Sequence, residues 1–196
     1  MKRTLLSLSC CAVLAQAIPA ADAPLKYFYV YSEKSARTNH YIPAGWMGDY
    51  GDLKIQDAWK ADCKEGTTCM KWTYTAKGAQ GQNWAGVYWQ HPPNNWGTIS
   101  GGYDLSPYRR LTFWARGEKG GEIVSMFGIG GIAGEYGDSD AAEIGPITLT
   151  KDWKRYQIDL VDKNLAKIIG GFRWATNADS NPEGFEIYLD EIRFER

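Results

Sequence analysis

The residues of this 196-residue chain best suited to molecular recognition are aromatic: it carries 9 Trp, 12 Tyr and 6 Phe. Trp and Tyr are large, rigid and amphipathic, so they serve as core filling and as contact platforms. Several sit beside hydrogen-bonding side chains. Trp84 follows Gln82 and Asn83, and Trp174 has Arg173 before it and Asn177 shortly after. An indole face can stack on a patch of C–H bonds while amide and guanidinium neighbours pair hydroxyls, which is the chemistry a sugar ring requires. Core packing competes with this reading everywhere. It is the stronger one for Trp72, Phe113 and Trp153. Trp84, Trp114 and Trp174 stay open between core and contact, and Trp46 and Trp96 between loop packing and contact.

Catalytic constellations are harder to find. A glycosidase needs two carboxylates about 5–9.5 Å apart. Among 23 acidic residues some pair would always fit, and no motif places one. His40 falls in a loop and His91 precedes Pro92-Pro93, neither with a nucleophile signature around it. A lyase using His91 or a Tyr as base is the remaining enzymatic reading. Gly128-Ile-Gly-Gly-Ile132 lacks phosphate-loop spacing. With 22 basic residues and a net charge of −1, the chain is no polycation, so nucleic acid and anionic membrane are poor partners. Binding without catalysis is the favoured class. A protein-interaction or structural role for the same aromatics is the alternative.

The N-terminus reads as an export signal over residues 1–21. Lys2 and Arg3 precede an apolar run, Leu5 to Leu14, too short to span a bilayer. Ala15-Gln16-Ala17 fits a cleavage site, with Pro19-Ala20-Ala21 and Ala21-Asp22-Ala23 as alternatives. The expected location is secreted or periplasmic. Cleavage removes Cys10 and Cys11 and leaves Cys63 and Cys69, which an oxidising compartment favours pairing across a tight turn. A zinc site is the rival, but it needs about four ligands and only His40 and His91 are available besides.

Short β-branched and aromatic runs alternate with Gly and Pro along the chain, the pattern of an all-β sandwich. About ten strands are expected, at 25–31, 52–58, 69–76, 84–90, 110–117, 122–129, 144–150, 154–160, 171–176 and 185–194, in one domain over 24–196. Alternation puts Met70, Trp72 and Tyr74 on one face of their strand. Asp190 and Glu191 break the two-residue period of the last strand, which predicts a bulge. Leu165, Ile168 and Ile169 suggest one helical turn. Segments 33–51, 90–103, 130–143 and 177–184 read as loops.

Several of these segments are similar to the galactose-binding-like jelly rolls of carbohydrate-binding modules, nearest to the family 11 type and the related domain of complex I intermediate-associated protein 30. The resemblance runs through Trp84-Ala-Gly-Val-Tyr88, Gly102-Tyr-Asp-Leu-Ser106, Leu111-Thr-Phe-Trp-Ala-Arg-Gly117, Ile147-Thr-Leu-Thr-Lys-Asp-Trp153, Gly171-Phe-Arg-Trp-Ala-Thr176 and Phe185-Glu-Ile-Tyr-Leu-Asp-Glu-Ile192. It covers about residues 70–195. It implies a polysaccharide or oligosaccharide partner, β-glucan-like, lying in a groove on one sheet. It implies Trp174 as the first stacking residue, with Trp84, Tyr88, Arg116 and Asn177, and Trp46 and Trp96 at the rim. It also implies a structural Ca²⁺ bound by Asp190, with Glu33 or Asn39 assisting. The segment before residue 60 has no counterpart in this pattern.

Overall fold

The computed structural model describes residues 25–196, so the expected export signal lies outside the described residues. Thirteen strands are found there: β1 Tyr27–Tyr31, β2 Ile42–Gly48, β3 Leu53–Trp59, β4 Cys69–Tyr74, β5 Trp84–Gln90, β6 Arg110–Gly117, β7 Ile123–Val124, β8 Met126–Gly130, β9 Ala141–Ile144, β10 Ile147–Thr148, β11 Lys154–Asp159, β12 Gly170–Asn177 and β13 Phe185–Glu195. They form an all-β jelly-roll sandwich of two antiparallel sheets. One sheet has the order β11-β6-β13-β4-β3, with β1 also on β13; the other has the order β2-β5-β12-β8-β9. β7 and β10 make a small separate pair. Among the described residues no helix is long and apolar enough to cross a membrane.

Three expectations change. β2 lies inside the segment read as loop 33–51. Pro43 and Gly45 hid it, and both are tolerated because β2 is an edge strand with a register shift between them. β9 begins inside the expected loop 130–143 and pairs with β8. No helical turn forms at 164–169; Ile168 instead bridges to Tyr103, and Leu165 and Ile168 are buried in the core.

The core is set by facing indoles. Trp72 of β4 meets Trp89 of β5 at 5.5 Å and Trp174 of β12 at 5.3 Å, both edge to face. Such geometry suits the ring quadrupole better than a sandwich. The predicted face of β4 holds: Met70, Trp72 and Tyr74 all point inward and are buried.

The predicted bulge is present in β13, where the register with β6 shifts between Asp190 and Arg193. At this point the other edge of β13 changes partner, from β4 to β1. The opening is filled by the loop that the Cys63–Cys69 disulfide closes. Asp190 is fully buried and accepts the Lys64 and Glu65 amides at 3.0 and 3.1 Å on one oxygen and the Glu191 amide at 2.9 Å on the other. Burial raises its pKa to about 7, against the lowering pull of those amides.

Nearby, Glu195 gathers three arginines: Arg110 at 3.1 Å, Arg155 at 2.6 Å and Arg193 at 2.9 Å, with the Thr112 hydroxyl at 3.0 Å. Burial would raise this carboxyl, but the bonds from Arg193, Arg110 and Thr112 and the charge of Arg155 outweigh it and hold it at about 2. A lowered carboxyl stabilises the fold above its unfolded pKa and loses that contribution as pH falls. Acidification from about pH 4.5 to about 2 should therefore lower the melting temperature. Glu195→Gln should already be less stable at pH 7 and lose much less over that window, as scanning calorimetry would read. Equal acid sensitivity in both proteins would remove Glu195 from this role.

Candidate functional site

Register decides which side chains reach solvent on the five-stranded sheet. β12 pairs with β5 so that Asn177 faces Trp84, Ala175 faces Gly86 and Arg173 faces Tyr88. The alternate residues Phe172, Trp174 and Thr176 point inward and are buried. Trp174, the residue the resemblance put first, is therefore core, with 0% exposure. It packs on Trp72 and Phe185, and its indole N–H has no acceptor. The inward partners Val87 and Phe127 across the register fix that orientation.

Trp84 stands on the outer face at the start of β5 and is 38% exposed. Asn177 lies across from it, held by donation to the Ser125 hydroxyl at 3.0 Å and by acceptance from the Ser180 amide at 2.8 Å. The next row inward is low: Met47 of β2, Gly86, Ala175 and Met126 of β8 are adjacent in register. Beyond it rises a polar row, Tyr88–Arg173–Gly128–Glu143. The outer face thus carries a shallow trough running across the strands, floored by Ala175 and by the Met47 methyl, which covers Gly86 so closely that a Cβ there would lie 3.0 Å from it and which packs against the Tyr88 cluster. Trp84 and Asn177 form one bank, and Tyr88 with Arg173 the other.

The second bank is bonded within itself. Tyr88 is only 4% exposed; its hydroxyl donates to the Gly130 carbonyl at 3.1 Å and accepts from Arg173. Arg173 also pairs with Glu143 at 2.8 Å. Both side chains lie flat because glycine lies beneath them. A Cβ at position 170 would sit 2.9 Å from the Tyr88 ring, and one at 128 would sit 2.8 Å from Arg173 Nε. Trp96 meets the Tyr88 ring edge to face at 5.7 Å and is 42% exposed, so it overhangs this bank as a rim residue.

Two further expected contacts lie elsewhere. Arg116 is on β6 of the opposite sheet, where its guanidinium lies 3.8 Å from the centre of the Tyr188 ring and pairs with Asp62 at 3.2 Å. Trp46 shares its inward side with Val87, and its ring packs 5.8 Å from Trp72 at the open edge of the sandwich. Its partial exposure is that of an edge plug. Met47, Arg173, Ala175 and Met126 belong to the trough instead.

The calcium set does not fit a cation. The oxygens of Asp190 accept the three amides described above. Those of Glu33 accept the Thr67 and Thr68 amides at 2.7 and 2.9 Å and both threonine hydroxyls. Asn39 bridges the Ser32 amide and the Glu33 carbonyl. N–H donors converge where a Ca²⁺ would need oxygen. Asp190 and Glu33 dock the disulfide loop, and Asn39 braces the turn that carries Glu33. Cys63 and Cys69 are bonded, as their spacing suggested.

No family model matches the sequence, and no curated protein matches it. Solved structures do. A family 30 carbohydrate-binding module superposes with a TM-score of 0.59 at 15% identity, covering 86% of this chain and 87% of that one. The family 30 module of a cellulosomal cellulase from Clostridium thermocellum gives 0.56 at 16%, covering 87% and 97%. The family 11 module of another cellulosomal cellulase of that organism gives 0.50 at 16%, covering 79% and 88%. These likenesses establish the fold, including the family 11 shape expected from the sequence. The family 30 shape was not anticipated.

Two measurements follow from the placements. Trp174→Ala should cost ~3–5 kcal/mol in urea unfolding, whereas Trp84→Ala should cost under about 1 kcal/mol; similar losses would reverse the assignment of faces. Chelator should leave the melting temperature unchanged, and a fall restored by added Ca²⁺ would reinstate the metal.

Proposed function

We propose that this chain is a non-catalytic carbohydrate-binding protein that lays an extended, β-glucan-like oligosaccharide or polysaccharide across the outer face of its five-stranded sheet. The observation that carries the reading is the low row of Met47, Gly86, Ala175 and Met126 between the exposed indole of Trp84 and the Tyr88–Arg173–Glu143 bank. A pyranose chain can lie over Ala175 and the thioether groups of Met47 and Met126. Its C–H face then meets indole and thioether groups, and its hydroxyls reach Asn177 and Glu143. The pairing of Arg173 with Tyr88 and Glu143 holds the bank before ligand arrives, which limits the entropy lost on binding. The fold shared with family 30 and family 11 carbohydrate-binding modules supports the same class of partner.

Export is part of the proposal. A disulfide persists where thiols are oxidised, so the working place is secreted or periplasmic.

Affinity electrophoresis through gels of mixed-linkage β-glucan, cellulose derivatives, xylan and mannan, followed by calorimetry, tests the reading. Trp84→Ala should weaken binding at least about tenfold, ~1.4 kcal/mol. Trp153→Ala, on the other sheet, should leave it unchanged. No retardation by any of these polymers, or indifference to Trp84→Ala, would refute it.

A further inference from the structure

Between the ends of β4 and β13 and the loop 118–122 lies a cavity of about 590 Å³; its lining residue Asn181 donates its backbone amide to the Asn177 carbonyl at 3.2 Å, so the cavity adjoins the outer side of the Trp84–Asn177 bank. That volume falls within the roughly 300–1,000 Å³ of small-molecule sites. Two of its lining side chains carry buried polar atoms without a partner: Oε2 of Glu122 and the hydroxyl of Tyr74. Glu122 is 8% exposed, and its other oxygen accepts the Lys119 amide at 2.7 Å. Tyr74 is 1% exposed and packs on Phe185, which also lines the space. Each unpaired buried group costs about 1–3 kcal/mol, a cost that a ligand supplying the missing bonds would relieve.

The two orphans restrict the chemistry of that ligand. A carboxylate oxygen only accepts, whereas a phenol needs an acceptor for its proton. A hydroxyl group can donate to the first and accept from the second. An ammonium cannot take the phenol proton, and it would enter past the rim lysines Lys77 and Lys119. An anion would face Glu122. Of the other acids of the wall, Glu118 accepts from Tyr188 and lies near Arg116, Glu186 pairs with Lys71, and Glu183 is exposed to solvent.

We propose that this end cavity is a second binding site, taking a neutral polyhydroxylated ring, either a free monosaccharide or the end of a chain. It rests on the cavity and its unpaired groups and stands whether or not the trough binds a polymer. Glucose, galactose and xylose, with glucosamine and glucuronate as charged counterparts, are titrated into the full chain while the amide resonances of Gly120 and Gly121 are followed. At least one neutral sugar should shift those amides and outcompete both charged sugars. Glu122→Gln should weaken that binding tenfold or more, and Trp84→Ala should leave it unaltered. The site is disproved if no neutral sugar moves these amides in the unaltered protein, a result independent of how any variant folds. It is equally disproved if a charged sugar binds as well as the neutral ones, or if folded Glu122→Gln binds unchanged. Loss of binding in Trp84→Ala alone would assign the effect to the trough.

Discussion

Two sheets keep a fixed separation only if inward side chains fill the gap at interior density. Here the wedge of Trp72 between Trp89 and Trp174 does much of that filling. It also sets parity. Side-chain direction alternates with each residue, so seating Trp89 and Trp174 inside obliges Tyr88, Arg173 and Ala175 to face water. The trough is a by-product of that seating. Slipping β12 by one residue would expose an indole and bury a guanidinium, which the low-dielectric interior opposes.

The two outer faces use aromatics differently. On the six-stranded sheet, cations are already seated on rings: Arg116 over Tyr188, Lys71 over Trp59 and Lys64 over Trp114. Trp59 and Trp153 give their N–H groups to the carbonyls of Ala61 and Asp62. On the five-stranded sheet, Trp84 stands at the end of its strand with much of its ring open to solvent.

Much of the architecture was legible in the chain. The alternation of Met70, Trp72 and Tyr74, the broken period at Asp190-Glu191 and the pair Cys63–Cys69 each translate directly into what is found. The signal that placed Trp174 inside was also present, since Phe172 and Trp174 share one parity and Arg173 and Asn177 the other. The polar neighbours were read as companions of Trp174 on one surface, when alternation sends them to the opposite side. Arg116 could not be placed because strand alternation gives inward or outward, never which sheet. β2 was hidden because Pro43 and Gly45 interrupt the pattern at a position where tertiary pairing tolerates them. Asp190 shows the limit of sequence alone: a carboxylate serving amides, as its oxygens do here, and one serving a metal look alike in sequence.

The order of strands in space has a temporal consequence. β12 lies between β5 and β8, and β13 lies between β6 on one side and β4 and β1 on the other. The centre of each sheet is therefore supplied by the last stretch of the chain. A growing or threaded polypeptide that ends short of residue 170 has edge strands with nothing between them. Most contacts of the fold are long-range, so closure waits for the C-terminal segment. Until the segment from residue 170 onward is in place, neither sheet has the strand that joins its two halves.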